Sequence, residues 1–399
     1  MDRADAGNRA AGDDAGAAQT WQRCNRRHET VTETCHCIFA GDFPCEPTYI
    51  ARVHGTIYEF DALPTFGKIA RPAPVGPVRP ARRGRAVPLV GIVRNPRSHR
   101  NKGVAAEMED CSNILTETPS TREALHHVLA GFARRGIDYL VVDGGDGTVR
   151  DVLSCGADIF GNDWPTLIVL PKGKTNALTV DLGLPNRWSL AEAMAAAHRG
   201  ATVSRRPLRI TPADAEGRCV QGFVLGTGAF SMATEAGQEA HRRGAFNSFA
   251  VGLAILWAIL QALFGRAGNA WRQCTPTRIV DRHTGRDLPR TGPGRADERF
   301  VTIATTFEKF PLGARPFGRN PVPGLKLAVI DWPVRWIVAL LPAIMFGLYG
   351  RFLARRGAHR FHAGELELDI GGSFILDGEA FPAGRYVLDE GPLLTFVVP

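Results

Sequence analysis

The stretch from Tyr139 to Leu153 constrains the fold of this chain more than any other. Leu140 to Val142 form an apolar run typical of a buried strand, and Val149 to Leu153 have the pattern of a helix start. Between them stand Gly144, Gly145, Asp146, Gly147 and Thr148. Glycines at a strand-to-helix turn let backbone N–H groups approach a ligand closely, and a helix N-terminus favours anions. The stretch therefore predicts a phosphate-binding loop.

Asp146 is the unusual member of this loop, because its charge repels bare phosphate. A carboxylate is useful there if Mg²⁺ lies between it and the phosphate, or if it accepts hydrogen bonds that fix the loop. An ordinary strand–turn–helix is the alternative, although it needs fewer glycines than this loop contains.

Further strands and helices alternate on both sides of the loop. Val87 to Val93 and Pro165 to Leu170 read as strands, and Thr118 to Glu123 supply capping residues for a helix from about Thr121 to Arg135. This order predicts a Rossmann-like α/β nucleotide-binding domain with a parallel sheet over residues 87–206. Ligands bind at the carboxyl ends of such strands, so the loops 94–103, 143–148 and 171–176 should converge.

The pattern changes to short strand-like runs at about Pro207. It predicts a mainly antiparallel β-sandwich domain over residues 207–399, whose last strand is a candidate to return to the first domain. The runs are Leu208–Thr211, Gly222–Leu225, Phe300–Thr305, Leu325–Ile330, Glu365–Ile370, Ser373–Leu376, Tyr386–Leu388 and Leu394–Val398.

Two apolar stretches interrupt the strand-like runs. Phe246 to Phe264 carry no charge, and Trp336 to Tyr349 are followed by Arg351, Arg355 and Arg356. A membrane-spanning helix needs about twenty apolar residues, so the first is borderline and the second short. We expect helices that cover the β domain and contact a bilayer or an acyl chain. The arginines suit an interfacial anchor, although a buried helix with a solvated end would look the same.

Composition narrows the class of protein. With 399 residues, 44% hydrophobic and 22% charged, the chain can form two domains with their own cores. A net charge of +8 suits a nucleotide substrate and an anionic membrane surface. No nucleic-acid-binding module is recognisable, so nucleic acid is not an expected partner.

Residues 1–86 read as a largely disordered extension that ends in a Pro- and Arg-rich linker. Cys24, Cys35, Cys37 and Cys45 fall in this segment, but their spacing does not favour zinc. No signal peptide is visible in the first twenty residues, and a reduced cytoplasmic compartment is expected.

Two further motifs carry chemistry. Gly173-Lys174-Thr175 looks like the end of a Walker A loop, but Ile168 stands where that motif needs glycine. Near the C-terminus, Asp377-Gly378-Glu379 has the composition of a hairpin turn between strands. It gains a function only if the fold brings its carboxylates to the phosphate site, where Glu379 could take a hydroxyl proton.

Four motifs together resemble the diacylglycerol kinase catalytic family, which includes bacterial diacylglycerol and phosphatidylglycerol kinases and the sphingosine kinases. They are Asn95-Pro96, the Gly144–Thr148 loop, Pro171-x-Gly173-x-x-Asn176 and Asp377-Gly378-Glu379, in that order. The resemblance covers about residues 87–399. It implies a nucleotide domain and a β-sandwich that offers the lipid, with the active site in the cleft between them. ATP and Mg²⁺ are the implied cofactors, and the family's apolar helix matches Phe246 to Phe264.

The resemblance also implies roles for single residues. Glu379 would be the general base, Asp377 its neighbour, and Asp146 a third catalytic residue. The implied nucleotide-binding residues are Asn95, Thr118, Gly144, Gly145, Asp146, Gly147, Thr148, Val149, Arg150, Gly173, Lys174 and Asn176.

Four positions depart from the family's pattern. The family usually has Thr at Lys174, often Asp at Ala177, and in many bacterial members Asn at Arg150. Leu327 stands where the family carries an Asp that binds a structural metal, so a second Mg²⁺ site is in doubt. Lys174 and Arg150 could hold phosphate directly, or signal a changed donor or a weakened enzyme.

The leading hypothesis is an ATP-dependent kinase for a hydroxyl of a diacylglycerol-like or sphingoid lipid. One alternative is a weakly active or inactive regulator that binds lipid or nucleotide. A kinase for a soluble substrate such as NAD is another, which the apolar stretch and the C-terminal motif disfavour. The expected location is cytoplasmic, with peripheral membrane attachment and a homodimer left open.

Overall fold

The computed structural model describes residues 87–101, 111–214, 219–242, 259–266, 268–318 and 322–399. The expectations for residues 1–86 lie outside these ranges, and so does most of the apolar stretch 246–264. All described residues belong to one compact unit, Ile50–Pro399. A domain boundary at residue 206 stays a prediction.

The first sheet has six strands, and its first four run parallel in the order β2-β1-β3-β4. The C-terminal strand β19 lies parallel to β4, and β5 closes the sheet antiparallel to β19. The strands are β1 (Val90–Arg94), β2 (Ile114–Glu117), β3 (Tyr139–Gly144), β4 (Thr166–Pro171), β5 (Thr202–Arg205) and β19 (Leu394–Val397). The helices are α1 (Arg122–Arg135), α2 (Asp146–Phe160), α3 (Ala177–Leu182) and α4 (Leu190–His198).

Capping residues fix the ends of α1 where the sequence predicts them. The side chain of Thr121 accepts a hydrogen bond from the Ala124 N–H, and Gly136 ends the helix in the left-handed conformation. In contrast, α2 begins at Asp146 rather than at Val149. Because Gly145 takes an extended conformation and serves as the N-cap, the loop residues Asp146 to Thr148 form the first helical turn.

Two antiparallel sheets follow, with strand orders β10-β9-β15-β18-β6-β7 and β14-β13-β12-β8-β16-β17. β11 pairs with β9 beside the first of them. Their strands are β6 (Leu208–Pro212), β7 (Val220–Gly222), β8 (Val224–Gly228), β9 (Thr275–Asp281), β10 (Arg286–Asp287), β11 (Glu298–Arg299), β12 (Val301–Thr305), β13 (Lys326–Ile330), β14 (Ala358–His362), β15 (Glu365–Ile370), β16 (Phe374–Leu376), β17 (Glu379–Phe381) and β18 (Gly384–Glu390). The helices here are α5 (Ala229–Arg242), α6 (Arg335–Met345) and α7 (Arg351–Ala354).

A shared core joins the two antiparallel sheets face to face. Leu225, Leu327 and Phe374 from one sheet pack with Leu366 and Leu388 from the other. This arrangement confirms the predicted fold class, a mostly parallel α/β sheet followed by antiparallel sheets. The sequence did not predict β9 or β14, because Arg278 interrupts the apolar pattern of β9, and two histidines and an arginine interrupt that of β14.

A smaller apolar cluster lies beside the antiparallel sheet that contains β12, β13 and β14. It contains Ile337 and Val338 of α6, Leu353 of α7 and Ala262 from the end of the apolar stretch 246–264. Pro342 lies inside α6, which ends at Met345. Among the described residues, no helix is both long and apolar enough to cross a membrane.

Candidate active site

The loops that were expected to converge leave the same edge of the parallel sheet. Asn95 follows β1, Thr118 follows β2, Asp146 opens the helix after β3, and Lys172 follows β4. The parallel registers of these strands bring their carboxyl ends together. One hydrogen bond links two of the loops directly, because the Arg100 N–H donates to the Lys172 carbonyl oxygen at 3.1 Å.

Close contacts explain why glycines stand in the loops after β3 and β4. A Cβ on Gly145 would lie 2.9 Å from the Gly173 Cα, and a Cβ on Gly173 would lie 2.8 Å from the Gly145 Cα. A Cβ on Gly144 would lie 2.5 Å from the Thr148 side chain. Only glycine therefore lets the loops after β3 and β4 touch through their backbones.

Polar side chains hold the loops in place. Asn95 is 1% exposed, and its Nδ2 donates to Thr148 Oγ1 at 3.0 Å. Asn176 closes the next loop on itself, because its Oδ1 accepts from the Gly173 N–H at 2.8 Å and its Nδ2 donates to the Gly173 carbonyl at 3.0 Å. Both asparagines thus build the shape of the site.

Asp146 fixes the loop through hydrogen bonds, which is one of the two roles considered from the sequence. Its carboxylate accepts the N–H groups of Ala177 at 2.9 Å and Leu178 at 3.2 Å. These amides open α3 and have no partner inside that helix, so Asp146 caps it from a distance. Burial raises the pKa of Asp146, and the N–H bonds act in the opposite direction.

The Asp-Gly-Glu motif is a hairpin turn. Leu376 of β16 pairs with Glu379 of β17, and Asp377 and Gly378 between them have φ values of 46° and 82°. Left-handed geometry at both positions is typical of a two-residue hairpin loop. The Asp377 carboxylate accepts the N–H groups of Phe223 and Val224, each at 2.9 Å.

The hairpin also lies at the phosphate loop, so its turn geometry and its predicted role are compatible. Burial raises the pKa of Asp377 to about 7, the negative charge of Asp146 adds to the rise, and the N–H bonds oppose it. The charges of the two carboxylates therefore interact, although Asp146 begins α2 and Asp377 lies in the hairpin turn.

A buried cluster of four charged residues joins the helix α2 to the hairpin. The Arg150 guanidinium contacts the Glu379 carboxylate and donates to Asp151 Oδ1 at 3.0 Å and to the Leu376 carbonyl at 3.3 Å. Arg122 of α1 approaches Asp151 Oδ1 at 3.2 Å and Glu379 Oε2 at 3.7 Å. Arg150 is 0% exposed and Glu379 2%. Burial raises the pKa of Glu379, while the charges of Arg150 and Arg122 hold it down.

The predicted nucleotide-binding side chains differ in their exposure to solvent. Lys174 is exposed on the loop after β4, and Thr118 is exposed at the end of β2. Arg150 faces carboxylates inside the protein, so the predicted contact with phosphate stays a prediction. The sequence analysis missed Arg122 and Asp151. A signal for Asp151 was present, because it stands with Arg150 inside the apolar run Val149–Leu153.

Leu327, one of the departures from the family's pattern, and its neighbour Lys326 have structural roles. Leu327 is buried between the antiparallel sheets. Its neighbour Lys326 is 0% exposed, and its ammonium group donates to the carbonyl oxygens of Gly324, Val322 and Thr306 at 3.0, 3.2 and 3.4 Å. Within the described ranges, no group of three or more His, Cys, Asp or Glu residues is arranged to hold a metal ion.

Comparison with known proteins agrees with this geometry. Residues 92–208 match the sequence model of the family described as diacylglycerol kinase catalytic domain. The matched segment includes the glycine loop and the loop after β4, which build the phosphate side of the candidate site. No curated protein sequence matches the chain.

Solved structures share the fold over most of the chain. A diacylglycerol kinase from Bacillus anthracis str. Sterne is similar with a TM-score of 0.52 at 13% identity, covering 79% of this chain and 99% of that one. Two structures described as candidate diacylglycerol kinases of the same organism have TM-scores of 0.54 and 0.52 at 13% and 14% identity, with the same coverage. At this identity the likeness shows the fold.

Proposed function

We propose that the protein is an ATP-dependent lipid kinase, which transfers the γ-phosphate to a hydroxyl group of a diacylglycerol-like or sphingoid lipid. The observation that carries the proposal is the contact between Arg150 and Glu379. It brings the helix of the phosphate loop against the hairpin that contains the candidate base.

The loop fits the phosphates of a nucleotide. The N-cap of α2 is Gly145, which has no side chain to cap the helix. The amides of the first turn therefore remain available to an anion. The glycine contacts keep this surface free of side chains. Lys174, Arg97 and Arg100 are exposed on the adjoining loops and add positive charge.

Asp146 and Asp377 fit a divalent cation. Burial raises the pKa of Asp377, repulsion from Asp146 adds to the rise, and a bound cation would relieve that repulsion. Each carboxylate already accepts N–H bonds, but a carboxylate has about four acceptor sites. These two residues would hold Mg²⁺, which would neutralise charge on the transferred phosphate.

Glu379 takes the part of the base in this proposal. The lipid hydroxyl gives its proton to the Glu379 carboxylate, its oxygen forms a bond to the γ-phosphorus, and the bond to the β-phosphate oxygen breaks to release ADP. Arg150 and Arg122 oppose the rise that burial gives the pKa of Glu379, and they fix the orientation of its carboxylate. Asp377 holds the hairpin against the chain at Phe223 and Val224.

The same ion pair favours one alternative, a regulator that binds nucleotide without efficient turnover. In that interpretation the ion pair with Arg150 keeps Glu379 from acting as the base, because Glu379 is almost completely buried against Arg150. Nucleotide binding without transfer to any lipid would be its signature. A homodimer and a cytoplasmic location stay predictions.

Incubation of the full chain with γ-labelled ATP, with and without Mg²⁺, and a panel of acceptors tests the proposal. The panel contains diacylglycerol, sphingosine and phosphatidylglycerol in mixed micelles, and NAD as a soluble acceptor. We expect label in at least one lipid and none in NAD. Label in NAD alone, or nucleotide binding with no labelled lipid, would replace the lipid kinase by the corresponding alternative.

A further inference from the structure

Three large apolar side chains are exposed within seven residues of the chain, from just after α6 to the start of α7. Phe346 is 61% exposed, Leu348 45% and Phe352 62%. Elsewhere in the described ranges, exposed large apolar residues stand singly, apart from Leu260 and Phe264. A cluster of this kind on a soluble surface commonly marks an interaction site.

Neighbouring residues anchor the segment that carries these side chains. Ile344 and Leu353 are buried directly beside them in the sequence. The Phe352 ring lies 5.7 Å from the Trp336 ring, and the hydroxyl of Tyr349 donates to the Ala358 carbonyl at 3.2 Å. The exposure therefore belongs to an anchored surface.

The surroundings of the cluster are positively charged. Between Asp331 and Glu365 the chain has no carboxylate but has arginines at 335, 351, 355, 356 and 360. Arg351, Arg355 and Arg356 are exposed. The guanidinium of Arg356 lies 5.1 Å from the centre of the Phe352 ring, so charge and apolar surface adjoin.

We propose that this arginine–aromatic surface, formed by Phe346, Leu348, Arg351, Phe352, Arg355 and Arg356, docks on an anionic lipid bilayer. Aromatic and aliphatic side chains enter the interfacial region of a bilayer, and arginines beside them bind anionic headgroups. A second copy of the chain fits less well, because it would bring two surfaces of the same positive charge together. Docking does not depend on catalysis; only its role in supplying substrate rests on the proposed kinase activity.

Co-sedimentation of the full chain with vesicles tests this proposal without ATP. One set of vesicles is pure phosphatidylcholine and the other contains phosphatidylglycerol. We expect binding to the anionic vesicles that weakens with salt. The triple variant Arg351→Gln/Arg355→Gln/Arg356→Gln should bind roughly 10- to 100-fold more weakly, and Phe346→Ser/Leu348→Ser/Phe352→Ser should lose binding in the same way.

A matched control separates position from net charge. Arg278, Arg282 and Arg295 are exposed arginines that pair with Asp287, Glu365 and Asp297. Their triple glutamine variant loses the same charge and should still bind as the unmodified chain does. Circular dichroism and thermal unfolding confirm that each variant folds.

Three results would overturn the proposal. They are equal binding by all variants, equal binding to neutral and anionic vesicles, and a dimer in solution that the arginine–aromatic variants dissociate. Kinase assays in mixed micelles keep the two proposals apart, because a docking variant should retain transfer to dispersed lipid even where it no longer binds vesicles.

Discussion

Arg150 on the helix of the glycine loop contacts Glu379 on the C-terminal hairpin, and both side chains are buried. The interaction crosses from the parallel sheet to the antiparallel one. It ties the folding of the phosphate site to the position of the candidate base, so single substitutions should affect both.

Replacement of Arg150 by Met should destabilise the protein strongly. Removing one partner of a buried ion pair typically costs about 3–5 kcal/mol, because the other charge stays buried without compensation. Chemical denaturation followed by circular dichroism measures the loss. Arg134→Gln at an exposed position of α1 is the control and should change stability by less than about 0.5 kcal/mol. An equally small effect for both variants would mean that the pair contributes nothing to stability.

Asp377 should make stability depend on pH. Its pKa rises from 3.8 to about 7 on folding, so the folded state holds a proton that the unfolded state releases. The resulting stabilisation is complete below about pH 4 and disappears as the pH rises through about 7. Urea unfolding in EDTA gives the free energy of unfolding of the unmodified chain and of Asp377→Asn. We expect the difference between the two proteins to favour the unmodified chain more at about pH 5 than at about pH 8, by about 1–3 kcal/mol. No difference between the two pH values would show that Asp377 is ionised throughout this range.

Gly173→Ala should abolish nucleotide binding. The added Cβ would lie 2.8 Å from the Gly145 Cα and force the two loops apart. Isothermal titration with ATP or an unreactive analogue measures the effect. In Gly131→Ala, the new methyl group on α1 meets only an arginine side chain at 4.0 Å. This control should bind normally and gain up to about 1 kcal/mol of stability. Normal binding by Gly173→Ala would remove the loop from the nucleotide site.

Lys326→Met should destabilise the sandwich although methionine is similar in size. Three carbonyl oxygens would lose the ammonium group that bonds them, at a cost of about 1–3 kcal/mol. Thermal unfolding measures the change. A variant as stable as the unmodified chain would mean that water replaces the ammonium group.

The sequence predicts the parts of this protein whose signals are local. The glycine loop, the Thr121 cap and the apolar runs of β3 and β4 each carry their own pattern, and the fold class follows from their order. Asp377-Gly378 was recognisable as a turn for the same reason. Its position at the phosphate loop was not derivable from spacing, and only the family resemblance indicated it.

The charges inside the protein could not be predicted in this way. Arg150 was expected near phosphate, because the family resemblance places Gly144 to Arg150 at the nucleotide. Its partner Glu379 comes from another sheet, and Arg122 comes from another helix. Lys326 likewise gave no signal, since its acceptors are backbone carbonyls that any sequence provides. Pairs of charges that are far apart in the sequence can be recognised only when the fold is known.

Transfer of labelled phosphate from ATP to lipid by Glu379→Gln, compared with the unmodified chain, tests the central claim most directly. Glu123→Gln on the exposed first turn of α1 serves as the matched control. We expect the Glu379 variant to bind nucleotide but to lose transfer by at least about 100-fold, as removal of a general base does, while the control keeps full activity. Undiminished transfer by a folded Glu379→Gln protein would contradict the account.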